Sequence, residues 1–175
     1  EEADCVDCPV GQITDGKTAL GYCSPCAAGR HLINETKLCR DCPAGWKQEA
    51  AGQDKCDSCT EGYYQKDARQ SFCFPNAPGW FASKCDAGSS TCKETTACPP
   101  GTKGNNARTS CDSCPAGQTS FLGSVSCMNC AKGKYAASER SNNCTSCPSA
   151  WYQPQENEPS VSCTACPAGY EQDTT

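Results

Sequence analysis

The residues with the most chemical potential are cysteines arranged as C-x-x-C pairs. Such pairs bind structural zinc when four ligands converge, and inside a βαβ unit they act as redox dithiols. The pair occurs eight times, mostly 16 to 19 residues apart: Cys5/Cys8, Cys23/Cys26, Cys39/Cys42, Cys56/Cys59, Cys111/Cys114, Cys127/Cys130, Cys144/Cys147 and Cys163/Cys166. Repetition along the whole chain favours an architectural role over zinc binding or redox catalysis, so we expect no metal, no cofactor and no enzyme.

Other catalytic or metal-binding arrangements lack support in the sequence. His31 is the single histidine, and no Ser-His-Asp or Cys-His arrangement can be assembled around it. We expect it to be a surface residue in a loop spanning 27–38. The acidic residues are scattered and form no D-x-D-x-D-G calcium loop.

A longer repeat surrounds each cysteine pair. Glycine follows three residues after the second cysteine in all but one of the eight units, where Ala150 stands, and an aromatic residue often comes next. Two degenerate units lie between Cys59 and Cys111: "CFPNAPGWF" carries Asn76 in place of its second cysteine, and "TTACPPGTKG" carries Thr95 in place of its first. We therefore count ten units, with Cys85 and Cys92 as additions between the degenerate ones.

The composition requires covalent stabilisation. The chain has 175 residues and 20 cysteines, whereas Val, Ile and Leu together number only 10. A cysteine content above about 8–10% indicates a disulfide scaffold, and so few apolar residues cannot build an ordinary core. The net charge of −5, without basic runs, speaks against nucleic acid, and no apolar stretch reaches the length of a membrane span. The opening "EEADC" indicates a processed product or a fragment.

These features predict a small disulfide-rich fold: an elongated array of short two-stranded β ribbons with irregular loops and little or no helix. Proline after the second cysteine fixes φ, glycine supplies a positive φ, and the following residues start a short strand. We expect aromatic residues to cover the disulfides. The predicted organisation is four regular units in 1–72, degenerate units with an insertion in 73–110, and four regular units in 111–175.

The missing cysteines bear on the pairing. In a staggered scheme, the second cysteine of each unit pairs with the first of the next, so positions 76 and 95 are partners and are lost together. An interlocked scheme that joins neighbouring units, such as Cys5–Cys23 with Cys8–Cys26, remains possible, and we favour the staggered one. Its disulfides are Cys8–Cys23, Cys26–Cys39, Cys42–Cys56, Cys59–Cys73, Cys85–Cys92, Cys98–Cys111, Cys114–Cys127, Cys130–Cys144 and Cys147–Cys163.

The staggered scheme leaves Cys5 and Cys166 unpaired. If a second copy followed Thr175, its Cys5 would lie 14 residues after Cys166, the same spacing as Cys42 to Cys56. We therefore expect these two cysteines to join subunits head to tail, or to join tandem periods of a longer array.

The cysteine content also predicts the oxidising secretory route and an extracellular or cell-surface location. Two sequons, Asn34-Glu35-Thr36 and Asn143-Cys144-Thr145, are candidate N-glycosylation sites. Asn143 is the weaker candidate because Cys144 must also form a disulfide.

The segments "CDSCPAGQTS", "CRDCPAGWKQ" and "CTACPAGYEQ" resemble ephrin-receptor-like cysteine repeats, which are widespread in large extracellular proteins of algae and other protists. The array is also similar to ciliate immobilisation antigens and, more loosely, to the cysteine-rich domains of tumour necrosis factor receptors. The resemblance implies an extracellular disulfide module and brings no catalytic residues.

We therefore predict a structural protein of a cell-surface coat, stalk or filament that associates with itself. The alternative is a receptor-type ectodomain or surface antigen that binds a protein ligand. Trp80, Phe81 and the Cys85–Cys92 insertion are the first place to look for that ligand, because they interrupt the repeat.

Overall fold

The computed structural model describes residues 7–14, 22–86 and 91–170. Within these ranges the chain contains no helix and forms nine two-stranded antiparallel ribbons, which confirms the predicted fold class. The strands are β1 Gln12–Thr14, β2 Cys23–Pro25, β3 Arg30–Ile33, β4 Leu38–Asp41, β5 Trp46–Lys47, β6 Asp57–Ser58, β7 Tyr63–Tyr64, β8 Phe74–Pro75, β9 Trp80–Cys85, β10 Cys92–Ala97, β11 Thr102–Gly104, β12 Cys111–Ser113, β13 Gln118–Thr119, β14 Met128–Asn129, β15 Lys134–Tyr135, β16 Thr145–Ser146, β17 Trp151–Tyr152 and β18 Thr164–Ala165. Consecutive strands pair, and we number the ribbons 1 to 9 in chain order.

Each ribbon begins with a tight turn that explains the C-P-x-G sequence. In ribbon 3 the Trp46 amide donates to the Pro43 carbonyl at 3.0 Å, and Gly45 between them has φ 85°. A β-turn with positive φ at its third residue is the type II geometry, which favours glycine at that position. Pro43 is the first residue of the turn, and its ring fixes φ there. Ala150 takes the same place in ribbon 9 with φ 64°, so the fold accepts alanine there.

The two residues between the cysteines of a pair form the returning strand. Asp57–Ser58 is β6, and it pairs with Trp46–Lys47 in the register Trp46↔Ser58. The amide of the next residue, Cys59, then donates to the Gly45 carbonyl at 2.9 Å. The C-x-x-C spacing is therefore the length of one two-residue strand plus the cysteines that flank it.

A disulfide closes each ribbon in the staggered order. Eight of the nine described disulfides join cysteines 13 to 16 residues apart with Cα–Cα distances of 5.5 to 5.8 Å. The ninth, Cys85–Cys92, spans 7 residues. Loops of about 15 residues constrain the unfolded chain by roughly 3 kcal/mol each in the loop-entropy model.

The buried interior consists of sulfur and small polar side chains. Most second-position cysteines are almost fully buried, for example Cys42, Cys59 and Cys98 at 0% exposure, whereas most first-position cysteines are half-buried. The exceptions among the second-position cysteines are Cys8, Cys147 and Cys166, which are half-buried. In six ribbons the residue three positions after the turn glycine, or after Ala150 in ribbon 9, is also buried. Its type varies from ribbon to ribbon: Leu32, Gln48, Gln65, Ser120, Ala136 and Gln153.

The chain divides into two compact units. The first comprises the residues up to Asn76 together with Ala82–Thr95, and the second comprises Ala77–Phe81 together with the residues from Thr96 onward. These units are defined by contacts and not by the regularity of the repeat, so the division of the sequence at residues 72 and 110 stays a prediction.

Within each unit, neighbouring ribbons are joined by a repeated set of three backbone hydrogen bonds. Ribbons 2 and 3 show the set in the first unit: Gly29 donates to Gln48 at 2.8 Å, Leu32 to Gln53 at 2.9 Å, and Gly52 back to Cys26 at 2.8 Å. Ribbons 6 and 7 repeat it in the second unit: Gly101 to Ser120, Gly104 to Ser124, and Gly123 back to Cys98. The set lets backbone bonding continue between ribbons that are only two strands wide.

The turn glycine also contacts the ribbon two further along the chain. A methyl group placed on Gly101 of ribbon 6 would lie 2.6 Å from the Arg140 carbonyl oxygen of ribbon 8. The same clash with backbone of the second-next ribbon would occur at Gly11, Gly29, Gly79 and Gly117, and at Gly45 the obstacle is the Thr91 side chain. Close packing is therefore a second reason for glycine, besides its positive φ.

Ribbon 5 replaces the missing disulfide with a longer hairpin. Its strands β9 and β10 have six residues each, more than any other strand, and Cys85–Cys92 joins them. Asn76 lies at the second-cysteine position, is 0% exposed, and its amide donates to the Gly62 carbonyl at 2.8 Å, as a cysteine amide does elsewhere. The backbone of the repeat is thus kept where the cysteine pair is absent.

Candidate functional site

The cysteine ladder is the feature that the sequence emphasises most, and glutamine side chains reinforce it in two ribbons. The Gln65 side chain donates to the Phe72 carbonyl at 2.7 Å and accepts from the Asp67 amide at 3.1 Å. Gln48 makes the equivalent bonds to Lys55 and Ala50. Each glutamine thus ties the loop of its ribbon to the residue that precedes the closing cysteine. The sequence prediction missed this position because its residue types share no hydrophobic pattern.

Cys166 is the unpaired cysteine of the described residues, and its side chain is partly exposed. Its amide donates to the Ala150 carbonyl at 2.8 Å, so it occupies the same backbone position as the paired second cysteines from Cys26 to Cys147. The proposed partner, Cys5, lies outside the described residues. The pairing of Cys166 therefore stays a prediction.

Both candidate glycosylation sites are on the surface. Asn34 is exposed in the turn between β3 and β4, at the tip of ribbon 2. Asn143 is exposed directly before Cys144, which is bonded to Cys130. Exposure is the condition that an acceptor asparagine must meet, and both meet it.

His31 lies in strand β3, so its assignment to a loop was wrong. Its Nδ1 is 3.2 Å from the Cys56 Sγ, and with the Cys42 Sγ these ligand atoms all lie within 4.8 Å of one another. A disulfide joins the two sulfurs, however, and zinc binds thiolates. The cluster is thus an imidazole packed against a disulfide. A groove of about 490 Å³ adjoins it, with Trp46 and Arg40 among its lining residues.

The repeat aromatics are partly or largely exposed: Trp80 is 38%, Trp151 43% and Tyr170 75% exposed. Three others are half-buried: Trp46, Tyr64 and Tyr135. An aromatic cluster occurs in ribbon 4, where the ring centroids of Phe72 and Phe74 are 4.9 Å apart. Aromatic side chains therefore contribute little to the buried interior. The interior consists mainly of cysteine sulfurs and of the residue three positions after the turn glycine.

Charged groups contribute surface pairs. Lys47 hydrogen-bonds Glu49, and this bond and the lysine charge lower the pKa of the Glu49 carboxyl. Arg30 pairs with Asp41 at 2.7 Å on the exposed face of ribbon 2.

In the part of the chain that the structure describes, no helix has the length and apolar character needed to cross a membrane.

The ribbons and their ladder define a cysteine-rich repeat module of the extracellular type. Residues 133–175 match the family described as tyrosine-protein kinase ephrin type A/B receptor-like. This segment is therefore similar to an ephrin-receptor-like cysteine-rich repeat, the resemblance that the C-x-x-C-P-A-G segments predicted. No curated protein matches the chain.

Proposed function

We propose that the protein is an extracellular structural module, a covalently laddered component of a cell-surface coat, stalk or filament. The observation that carries this proposal is the continuity of the ladder. Each described ribbon holds a disulfide, and ribbon-to-ribbon backbone bonds recur in both units. An interior of disulfides gives resistance to unfolding and proteolysis, which is what an exposed structural element requires. We propose no catalytic role.

Limited proteolysis tests the durability directly. The oxidised protein should resist trypsin at the lysines and arginines inside the ribbons, such as Lys47 and Arg140, whereas reduction and alkylation should expose them all. Rapid cleavage at these residues in the oxidised protein would contradict a durable structural role. Negative-stain imaging of native material should show ordered polymers.

Self-association and glycans belong to the same proposal. Cys166 of one copy pairs with Cys5 of the next, and Asn34 and Asn143 carry N-glycans that cover the surface. The unpaired thiol of Cys166 and the exposure of both asparagines support this. Enzymatic deglycosylation followed by peptide mapping measures occupancy at each sequon.

A receptor-type ectodomain or surface antigen is the second candidate, favoured by the long hairpin of ribbon 5. Trp80 stands 38% exposed at the start of that hairpin, where the repeat is interrupted. This role predicts saturable binding of a protein ligand by a monomeric chain, with loss of binding in Trp80→Ala and retention in Trp151→Ala. Trp151 is the matched control because it holds the same repeat position and is 43% exposed.

A further inference from the structure

One disulfide of the ladder has an imidazole against it. The Nδ1 of His31 lies 3.2 Å from the Sγ of Cys56, which is bonded to Cys42 in ribbon 3. A disulfide sulfur carries no hydrogen, so a hydrogen bond in this contact is donated by the imidazole N–H. Because His31 is the single histidine of the chain, no other disulfide of the chain has such a neighbour. The Cys42–Cys56 bond is therefore chemically distinct from the rest of the ladder.

The two cysteines of this disulfide differ in access. Cys42 is 0% exposed, whereas Cys56 is half-buried and lines the groove of about 490 Å³ beside His31. A nucleophile that enters the groove therefore meets Cys56 first and displaces Cys42. The sulfur of Cys42 lies within 4.8 Å of the ligand nitrogen of His31, so the same imidazole is adjacent to the sulfur that leaves.

Three charged side chains that line the groove have no ion-pair partner among the described residues. Two of them are the cations Arg40 and Lys55. The third is the carboxylate of Asp54, since the other acidic lining residue, Asp41, is held by Arg30 at 2.7 Å. Two cations and one anion beside an electrophilic sulfur are complementary to a small thiol that carries two carboxylates and one ammonium group.

We propose that Cys56 is a site of thiol–disulfide exchange with a small anionic thiol of this kind, such as glutathione. The thiolate attacks the Cys56 sulfur, the Cys42–Cys56 bond breaks, and the electron pair leaves on Cys42. The protonated imidazole of His31 gives Cys42 its proton and recovers the proton that the thiol lost on ionising. One sulfur–sulfur bond replaces another, so the thiol is the only co-reactant. The product is a mixed disulfide at Cys56, in which Arg40 and Lys55 hold the carboxylates of the thiol.

Ribbon 4 provides an internal reference for the test. Its disulfide, Cys59–Cys73, spans 14 residues with a Cα–Cα distance of 5.8 Å, as Cys42–Cys56 does. Cys59 is likewise 0% exposed, and Cys73 is likewise half-buried. The two disulfides thus share loop length, Cα separation and burial, and they differ in the imidazole. Both rates are measured on the same sample, so differences in folding or handling cancel.

The test is exposure of the folded chain to glutathione after its free thiols have been blocked, followed by acid quenching, alkylation and peptide mapping. We expect Cys42–Cys56 to open about tenfold faster than Cys59–Cys73, with glutathione attached to Cys56. His31→Gln should remove this advantage. The direction of the change is diagnostic, because a substitution that only loosened the packing would speed opening, whereas loss of the proton donor slows it. Equal rates at the two disulfides, or an unchanged rate in His31→Gln, would overturn the proposal.

Recognition of the carboxylates is measured by comparing two thiols. Arg40→Gln and Lys55→Gln should each slow exchange with glutathione about two- to fivefold more than exchange with 2-mercaptoethanol, which has no carboxylate. Lys132→Gln is the matched control, because it removes the same charge from an exposed side chain outside the groove. Equal slowing of the two thiols by the groove variants would overturn the choice of an anionic thiol. Failure of the exchange would leave the structural role standing, because that role rests on the ladder as a whole.

Discussion

Gly101→Ala measures the strength of the contact between ribbons 6 and 8. The added methyl group would lie 2.6 Å from the Arg140 carbonyl oxygen, 2.8 Å from its carbon and 2.9 Å from the Ser141 oxygen. These are backbone atoms held by their own hydrogen bonds, so they cannot rotate away. Overpacking costs about 1–3 kcal/mol, and alanine at φ 78° adds about 1–2 kcal/mol of backbone strain. We expect a destabilisation of about 2–5 kcal/mol.

The variant Gly133→Ala separates the cost of overpacking from the cost of backbone strain. Gly133 has φ 70°, and no described atom lies near its missing side chain, so alanine there adds only the strain of about 1–2 kcal/mol. Both variants are compared in a Cys166→Ser background, which keeps the chain monomeric. The difference of about 1–3 kcal/mol corresponds to roughly 5- to 150-fold in an equilibrium constant.

Native-state hydrogen exchange gives the readout because it reports local opening. The Arg140 amide, which donates to the Cys114 carbonyl at 2.8 Å, should lose correspondingly more protection in Gly101→Ala than in Gly133→Ala. Equal loss in the two variants would refute the claim that packing between second-next ribbons stabilises the fold.

Three further predictions concern the interior and the surface. Gln65→Ala should cost about 2–4 kcal/mol, measured by denaturant unfolding with the disulfides intact, because it removes a fully buried side chain with its two hydrogen bonds and leaves the part-buried Phe72 carbonyl without that donor. The double variant Asn76→Cys with Thr95→Cys should form a tenth internal disulfide, detected by intact mass, because these positions correspond to the paired cysteines of other ribbons; two free thiols would contradict this. Lys47→Ala should raise the pKa of Glu49 towards its ordinary value in an NMR titration. In the unmodified chain, the Lys47–Glu49 pair stabilises the fold at pH values above the ordinary pKa of glutamate, and this contribution should be lost as the pH falls through the lowered pKa.

The ladder could be predicted because it rests on local spacing. The two residues inside each C-x-x-C lie in the returning strand, and glycine specifies the turn before it. The staggered pairing was favoured by a defect: the absence of cysteine at both 76 and 95 is explained most simply if those positions are partners. Local chemistry and one coincident loss were therefore enough to predict the ribbons.

The packing between ribbons could not be predicted in the same way. Gly101 and Arg140 are far apart in sequence, and their contact involves a backbone carbonyl, which leaves no trace in residue type. The buried position after the glycine was also invisible, since Leu32, Gln65 and Ser120 share only their place in the repeat. His31 was assigned to a loop because a four-residue strand with one buried side chain carries too weak a pattern.

Contacts between second-next ribbons couple the stability of each ribbon to that of the ribbon two further along the chain. In a simple linear array each repeat touches only its neighbours, so stability is a sum of local terms and an end can open without affecting the interior. Here the loop at Arg140 of ribbon 8 covers Gly101 of ribbon 6 and bonds Cys114 of ribbon 7. Opening one ribbon therefore exposes two others, and cooperative resistance to local opening extends beyond the disulfide that closes each loop.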